Sequence, residues 1–405
     1  MKDTDLFQLA MGLTPPWQVM QCTFDKGQGR LDIKIGFVRG GTFACPECSR
    51  AGCKAYDTEE RTWRHLNFFQ YETYLHARVP RVQCESCGIK VVNVPWARPG
   101  SGFTLLFEAL IMTLAAQMPV QALGRIVKEH DTRLWRVLAH YVATARAKAD
   151  FSAVTQIGVD ETASRRGHNY VSLFVDLERS QVLFATEGKD AATVGAFKED
   201  LVAHGGAAAA IGEVCCDMSP AFISGAEEQF PQAHLTFDKF HVLKIINEAV
   251  DEVRRQERES RPELTKTRYL WLKNPENLTV RQVATIERLS LKKFKLKTAR
   301  AYHLRLVFQE FWDQAQEEAE AFLRRWYSWA VRSGLAPMRE AAATVKRHWS
   351  GILRWFESRV SNGILEGINS LVQAAKARAR GYRTARNLIT MIYLIAGKLD
   401  FDLPT

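Results

Sequence analysis

The chain has 405 residues, 46% of them hydrophobic and 25% charged, with a formal net charge of +10. This composition is ordinary for a globular protein, the length allows two to four domains with their own cores, and the basic balance favours a polyanionic partner such as nucleic acid. No signal-like N-terminus and no bilayer-length apolar run is present, so a cytoplasmic protein is expected, and its eight cysteines are read for metal rather than for disulfides.

Residues 1–100 read as a β-rich module, because Leu31–Phe37 and Thr73–Val79 alternate with period two. Beside these runs lie two CxxC knuckles, Cys45-Pro46-Glu47-Cys48 and Cys84-Glu85-Ser86-Cys87, the second followed by Gly88. Four thiolates at this spacing suit tetrahedral zinc, so Cys45, Cys48, Cys84 and Cys87 are expected to hold one structural Zn²⁺ in a zinc ribbon with an inserted β-hairpin. Paired free thiols or a redox pair are the alternatives. Cys53 and His65 fall between the knuckles and could substitute as ligands, whereas Cys22, Cys215 and Cys216 read as small buried hydrophobes. Arg61, Arg64, Arg78 and Arg81 would give the ribbon a basic face for phosphates.

Pro95, Pro99, Gly100 and Gly102 mark a linker, and residues 101–150 turn helical. One helix follows from Leu105, Leu106, Leu110, Ile111 and Leu114, and a second from Pro119 through Ile126. A third, with Asp131 or Thr132 as cap, carries Leu134–Val142. The pattern fits a helix-turn-helix with Arg133, Arg136 and His140 on or near its DNA-reading surface; an ordinary three-helix linker domain fits it too.

Residues 151–259 hold the strands. Ile157-Gly158-Val159-Asp160 and Val214-Cys215-Cys216-Asp217 are apolar runs ending in aspartate, separated by strands Tyr170–Asp176 and Gln181–Thr186 and a helix near Ala191–Val202. Asp160 and Asp217 on neighbouring strand ends suit a divalent cation; taken singly, each reads equally as a turn cap. The run His234–Asp238 leads into a long helix to Arg258, with Lys239 and His241 at its start, placed to touch a phosphate or to serve as a cap and a surface histidine.

Residues 260–350 are helical, broken at Arg261-Pro262, at Lys273–Asn277 and near Gly334–Pro337. Leu291–Lys297 with Arg300 and Arg305 is a solvated basic face or a backbone tracker. Trp312, Trp326, Trp329, Trp349 and Trp355 are expected in the helical core. In residues 351–405 a helix starts near Ser361 or Asn362. Glu366, Asn369, Gln373, Lys376 and Arg380 recur along one polar face, and Leu365, Ile368, Leu371 or Val372, Ala375 and Ala379 lie on the other. Arg378, Arg383 and Arg386 extend a basic strip around Gly381-Tyr382, so a carboxylate and a polyanion-binding surface lie side by side.

Together these residues resemble the DDE transposases of bacterial insertion sequences, most closely the ISL3 family. The resemblance runs from the CxxC knuckles and Trp63-Arg64-His65-Leu66, through the helix-turn-helix, to Gly158-Val159-Asp160-Glu161 with Arg165-Arg166-Gly167-His168. It continues through Asp217-Met218-Ser219, Asp238-Lys239-Phe240-His241-Val242, Asn362-x3-Glu366-Gly367-x-Asn369 with Lys376, and the Arg380-Gly381-Tyr382 turn. It implies an α/β, RNase H-like catalytic core whose triad, Asp160, Asp217 and Glu366, converges on one site a few ångströms across, and an all-helical insertion at about 260–350 between the second and third carboxylates. It also implies two Mg²⁺ or Mn²⁺ ions at the triad, which activate a water or 3′-hydroxyl and stabilise the leaving oxygen. The substrates are then the element's terminal inverted repeats and target DNA; because two ends must be joined and each chain offers one triad, at least a homodimer on DNA is expected. Contact with both the repeats and target would come from Arg61, Arg64, Arg81, Arg133, Arg136, Lys239, His241, Asn369, Lys376, Arg378, Arg380 and Arg383. A nuclease or resolvase of the same fold, or a domesticated DNA-binding regulator, are the competing readings.

Overall fold

The structure, a computed structural model, describes residues 2–165, 167, 169–290, 295–360 and 363–404. It divides into two compact units, Met1–Ala145 with Asp400–Thr405, and Arg146–Leu399.

The first unit begins with helix α1 (Asp3–Ala10) and a sheet of β1 (Trp17–Asp25), β2 (Arg30–Phe37), β3 (Thr42–Phe43), β4 (Cys53–Phe68), β5 (Tyr71–Cys84) and β6 (Gly88–Val91). The strand order is β1-β2-β5-β4-β3, with β6 also on β5. The β2–β5 pair is parallel, and β4 and β5 form a long antiparallel hairpin. The period-two runs bury one face: Leu31, Ile33 and Ile35 on β2, and Leu75, Ala77 and Val79 on β5. Trp96 closes this core, meeting Trp17 and Trp63 edge to face at centroid distances of 4.9 and 5.6 Å. Three helices follow, α2 (Leu105–Gln117), α3 (Val120–Val127) and α4 (Asp131–Ala147), the last running into the second unit. Thr104 caps α2 by accepting the Phe107 N–H at 3.3 Å, and Ile111, Leu123, Leu134 and Leu138 form the buried centre of the trio.

The second unit is built on the sheet β7 (Gln156–Ala163), β8 (Tyr170–Asp176), β9 (Gln181–Glu187), β10 (Glu213–Cys216) and β11 (His234–Phe237), in the order β11-β10-β7-β8-β9. Strands β7, β8 and β9 are antiparallel, whereas β10 and β11 run parallel to β7. Helices α5 (Ala191–Ala203) and α6 (Pro220–Gln229) provide the connections, and Phe197 of α5 stacks on Phe174 of β8 at 4.5 Å. From β11 the chain runs through α7 (Lys239–Arg258), α8 (Arg268–Leu272), α9 (Val280–Ser290), α10 (Lys297–Glu310), α11 (Gln316–Arg332), α12 (Ala336–Arg347) and α13 (Trp349–Ser358). It then returns to the sheet with α14 (Gly363–Arg378) and α15 (Ala385–Ala396). No helix among the described residues is long and apolar enough to cross a membrane.

Several expectations change in three dimensions. Asp160 is not at a strand end, because β7 continues to Ala163. What ends is its neighbour: β10 pairs with β7 only from Gln156 to Gly158, so the β10 side of β7 is open beyond that point. Trp312, Trp326 and Trp355 are buried, but Trp329 is 43% exposed, since the turn of α11 that carries it faces outward. Arg305 is no backbone tracker: it is buried and donates to Asn247, Asn274 and the Leu272 carbonyl, tying α7 and α10 to the loop after α8. On α14 the core residue is Val372, while Leu371 is exposed. Arg380 lies past the end of that helix with φ of +56°. The proposed caps Ser361 and Asn362, Arg166 and His168, and Leu291–Phe294 lie outside the described residues.

Helix α14 approaches β7 at Gly158, where a Cβ would sit 2.6 Å from Leu365 Cδ1 and 2.7 Å from Leu177 Cδ2. Gly158→Ala is therefore expected to destabilise the protein by about 1–3 kcal/mol, read as a lowered urea midpoint, because neither leucine has room to withdraw within a filled core.

Candidate active site and metal centre

Four carboxylates and one histidine gather where β10 stops short of β7. Asp160 projects from the middle of β7, with Oδ1 accepting the Glu161 N–H at 2.7 Å and Oδ2 accepting the Asn369 amide N–H at 2.5 Å. Asp217 follows β10 directly, and its Oδ1 accepts the Ser219 N–H at 2.9 Å, shaping the turn into α6. Asp238 is fully buried as the N-cap of α7; it accepts the Phe240 N–H at 3.2 Å and holds His241 Nδ1 at 2.9 Å. Glu366 sits exposed in the first turn of α14.

Two of these acids are shifted by their surroundings. Burial, with the charges of Asp217 and Asp238 adding to it, pushes Asp160 up to about 6, against the pull of the Glu161 N–H and of His241. Glu366, though exposed, is raised by partial desolvation and then by Asp238, while His241 is raised chiefly by its hydrogen bond to Asp238. Glu161 belongs to another environment, 3.9 Å from Lys189, so strand alternation leaves Asp160 alone at the acid cluster. The cluster is looser than expected. Among the described residues, the only group of three or more His, Cys, Asp or Glu ligand atoms all within 4.8 Å of one another is formed by cysteines. Asp160, Asp217 and Glu366 do not form such a group.

That cysteine group is Cys45, Cys48, Cys84 and Cys87, with the Cys48 and Cys84 sulfurs 3.6 Å apart. The first knuckle is shaped by a backbone turn, Cys45 N–H to the Arg50 carbonyl and Ser49 N–H to the Cys45 carbonyl, each 2.9 Å; Gly88 turns the chain after the second with φ of +74°. The Ser86 hydroxyl, helped by the N–H groups of Cys87 and Ser86, draws the Cys84 thiol down to about 6. The hydrogen bond to Cys48, followed by burial, pushes Cys87 up to about 12. A cation replacing the shared protons would meet four converging sulfurs. The two substitute ligands drop out: the Cys53 thiol turns to the Arg50 carbonyl, and His65 Nδ1 bonds Thr104 Oγ1 at 2.9 Å, far along the hairpin.

The residues expected on DNA divide sharply. Arg64 is corrected: it is 2% exposed, donates to the Thr73 carbonyl at 3.2 Å and lies over the Phe107 ring, because a stem long enough to cross the sheet found a buried acceptor there. Arg61 is paired with Glu59, Arg81 with Asp57, and Arg133 with Glu129 while lying over Phe103. Lys239 is half-buried near Trp355, and His241 faces Asp238. Asn369 and Lys376 point at β7 instead of outward, the lysine reaching the Ala163 carbonyl at 2.6 Å. Arg78, Arg136, His140, Arg378, Arg380 and Arg383 are exposed; among the described residues Arg136, Arg380 and Arg383 have no carboxylate partner. From sequence Asp238 was read only as part of the strand-to-helix junction and the family motif, without a role as a fourth acid, and the inward role of Asn369 was not singled out. For Asp238 the readable signal was Asp-x2-His at a strand-to-helix junction.

Comparison with known proteins follows the same division. A family model for ISL3 transposases, described as "Transposase", matches residues 157–392. The helix-turn-helix domain of transposase family ISL3 matches residues 92–142, and the zinc-finger of transposase IS204/IS1001/IS1096/IS1165 matches 41–87. The chain is 30% identical to the transposase for insertion sequence element IS1557 of Mycobacterium tuberculosis, covering 97% of this chain and 96% of that protein. It is 31% identical to the transposase for insertion sequence element IS1001 of Bordetella parapertussis, over 84% and 85%. The zinc-finger match and the four converging sulfurs together support a structural Zn²⁺.

Elemental analysis of the purified protein should therefore find one zinc per chain, and Cys84→Ser should release it and cost the first unit several kcal/mol of stability. The raised Asp160 carboxyl gives a second expectation. Its folded pKa of about 6 exceeds the ordinary 3.8, so the folded state binds the extra proton between those values, and stability falls as pH rises through that window. Asp160→Asn should stabilise the metal-free protein by about 1–3 kcal/mol at pH 7, a gain that vanishes near pH 4; a melting temperature that does not move would contradict it.

Proposed function

The chain belongs to the ISL3 family of insertion-sequence transposases, and on that premise we propose that it binds the terminal inverted repeats of its element, cuts them and joins their 3′ ends to target DNA. The observation that carries this reading is that Asp160 lies on β7 just beyond the stretch paired with β10, with Asp217 directly after β10 and Glu366 on the helix whose Asn369 bonds Asp160. Three antiparallel strands followed by two parallel ones, with an acid on the central strand, support an RNase H-like core. In the domain scheme we favour, residues 1–100 form the zinc ribbon, 101–150 the helix-turn-helix, 151–259 and 351–405 the catalytic core, and 260–350 an all-helical insertion.

The acid cluster fits divalent cations on its own chemistry: its donors are hard carboxylate oxygens, and Asp160 is driven towards protonation by burial and by the acids beside it. Mg²⁺ or Mn²⁺ held by Asp160, Asp217 and Glu366 would supply an activated nucleophile and neutralise charge at the leaving oxygen. His241 keeps Asp238 balanced, so that the fourth acid need not be neutralised by substrate. Arg378 at the end of α14, Arg380 and Arg383 beyond it, and Arg136 on α4 offer positive charge to the DNA backbone. Two ends must be joined while each chain carries one triad, so a homodimer on DNA is the simplest assembly. A chain of this kind works in the cytoplasm, on the nucleoid.

The test is a strand-transfer assay with labelled terminal repeats. Asp160→Ala, Asp217→Ala and Glu366→Ala should each lower cleavage and joining by roughly 10³-fold or more while binding the repeats within about threefold of the parent. Wild-type cleavage by any one of the three would overturn the triad.

A further inference from the structure

One hydrogen-bonding group at the acid cluster is left unanswered. Asn369 stands three residues after Glu366 on α14, so the two side chains share a helix face. Its amide nitrogen donates to Asp160 Oδ2 at 2.5 Å, whereas its amide oxygen is shielded from solvent and has no hydrogen-bond partner among the described residues. The amide cannot be turned round, because its oxygen would then face a carboxylate oxygen. A buried acceptor without a donor is unfavourable unless something entering the site supplies one.

The bond to Asp160 is also more than the helix needs for docking. Gln373 Nε2 reaches Thr162 Oγ1 at 2.6 Å, Lys376 Nζ reaches the Ala163 carbonyl at 2.6 Å, and Leu365 closes over Gly158. Asp160, by contrast, has the Glu161 N–H and the Asn369 amide as its hydrogen-bond donors, and the nearby charges of Asp217 and Asp238 repel it. A carboxylate on an open strand edge with like charges around it turns away from them unless it is held.

We propose that Asn369 is a positioning residue of the active site: its N–H fixes the direction of the Asp160 carboxylate, and its free carbonyl oxygen accepts a hydrogen bond from water held within the site. The inference rests on Asp160 being a cation-binding acid. It takes Asn369 out of the set of DNA contacts, since the amide acts through Asp160.

The experiment titrates Mn²⁺ into the full chain without DNA, followed by electron paramagnetic resonance, and sets the result beside cleavage kinetics and melting temperature. Asn369→Ala is expected to weaken Mn²⁺ binding by roughly 10- to 100-fold and to lower kcat while leaving the KM for DNA unchanged. Gln373→Ala, one turn further on, should lower the melting temperature and keep the Mn²⁺ affinity within about twofold. The proposal falls if Asn369→Ala binds Mn²⁺ within about twofold of the parent, or if Gln373→Ala weakens binding as much, which would make helix docking the cause. Asp160→Ala separates the two readings. If it binds Mn²⁺ normally, the cation site itself is wrong; if it loses Mn²⁺ while Asn369→Ala does not, only the role of Asn369 is refuted.

Discussion

Helix α14 lies along strand β7, and the contact is made in two chemistries at once. Leu365 fills the space that a side chain at Gly158 would occupy, and three polar side chains at helical spacing, Asn369, Gln373 and Lys376, bond to Asp160, Thr162 and the Ala163 carbonyl in turn. Four- and three-residue steps along a helix match two- and one-residue steps along a strand only over a short length, because the helix rises 1.5 Å per residue and the strand about 3.3 Å. The match is kept for just the segment that brings Glu366 to the acid cluster. Before the chain reaches α14, α13 closes on β11 so tightly that a Cβ on Gly351 would meet the Phe237 ring at 2.4 Å.

The electrostatics follow from the same crowding. Nearby carboxylates add to burial in raising Asp160 and Glu366, and His241, which holds Asp238, works against the shift of both. Among the described residues Asp160 has no ion-pair partner, and its hydrogen-bond donors are uncharged. A site built this way stores unfavourable charge and favours whatever cation relieves it, the usual conflict between stability and function at a reactive centre.

In the first unit cysteine chemistry and aromatic packing take the place of a large core. Cys45 and Cys84 are buried beside Phe43 and Val82, so the sulfur cluster continues the apolar interior that Trp17, Trp63 and Trp96 begin. The arginines on this sheet are largely tied down by neighbouring acids or, for Arg64, by carbonyls. The number of basic residues in a stretch therefore overstates the charge it can offer to DNA.

Much of this was determined by the linear sequence. Period-two runs placed β2 and β5, the two CxxC spacings marked the sulfurs that meet, and apolar runs closed by aspartate marked β7 and β10, because these signals depend on nearest neighbours and on alternation. Glu366 could be singled out by its helix face and by resemblance to a family. Tertiary structure alone decided where the polar side chains ended up. Asn369 and Lys376 read as DNA contacts because a polar face looks outward until a strand is laid against it; Arg64 read as exposed because nothing local shows that Thr73 and Phe107 enclose it. Asp160 read as a strand end, although what ends there is a partner strand more than fifty residues away in sequence. Such facts concern pairs of distant residues, and hydrophobic periodicity, which reports only whether a side chain is buried, is silent on which partner buries it.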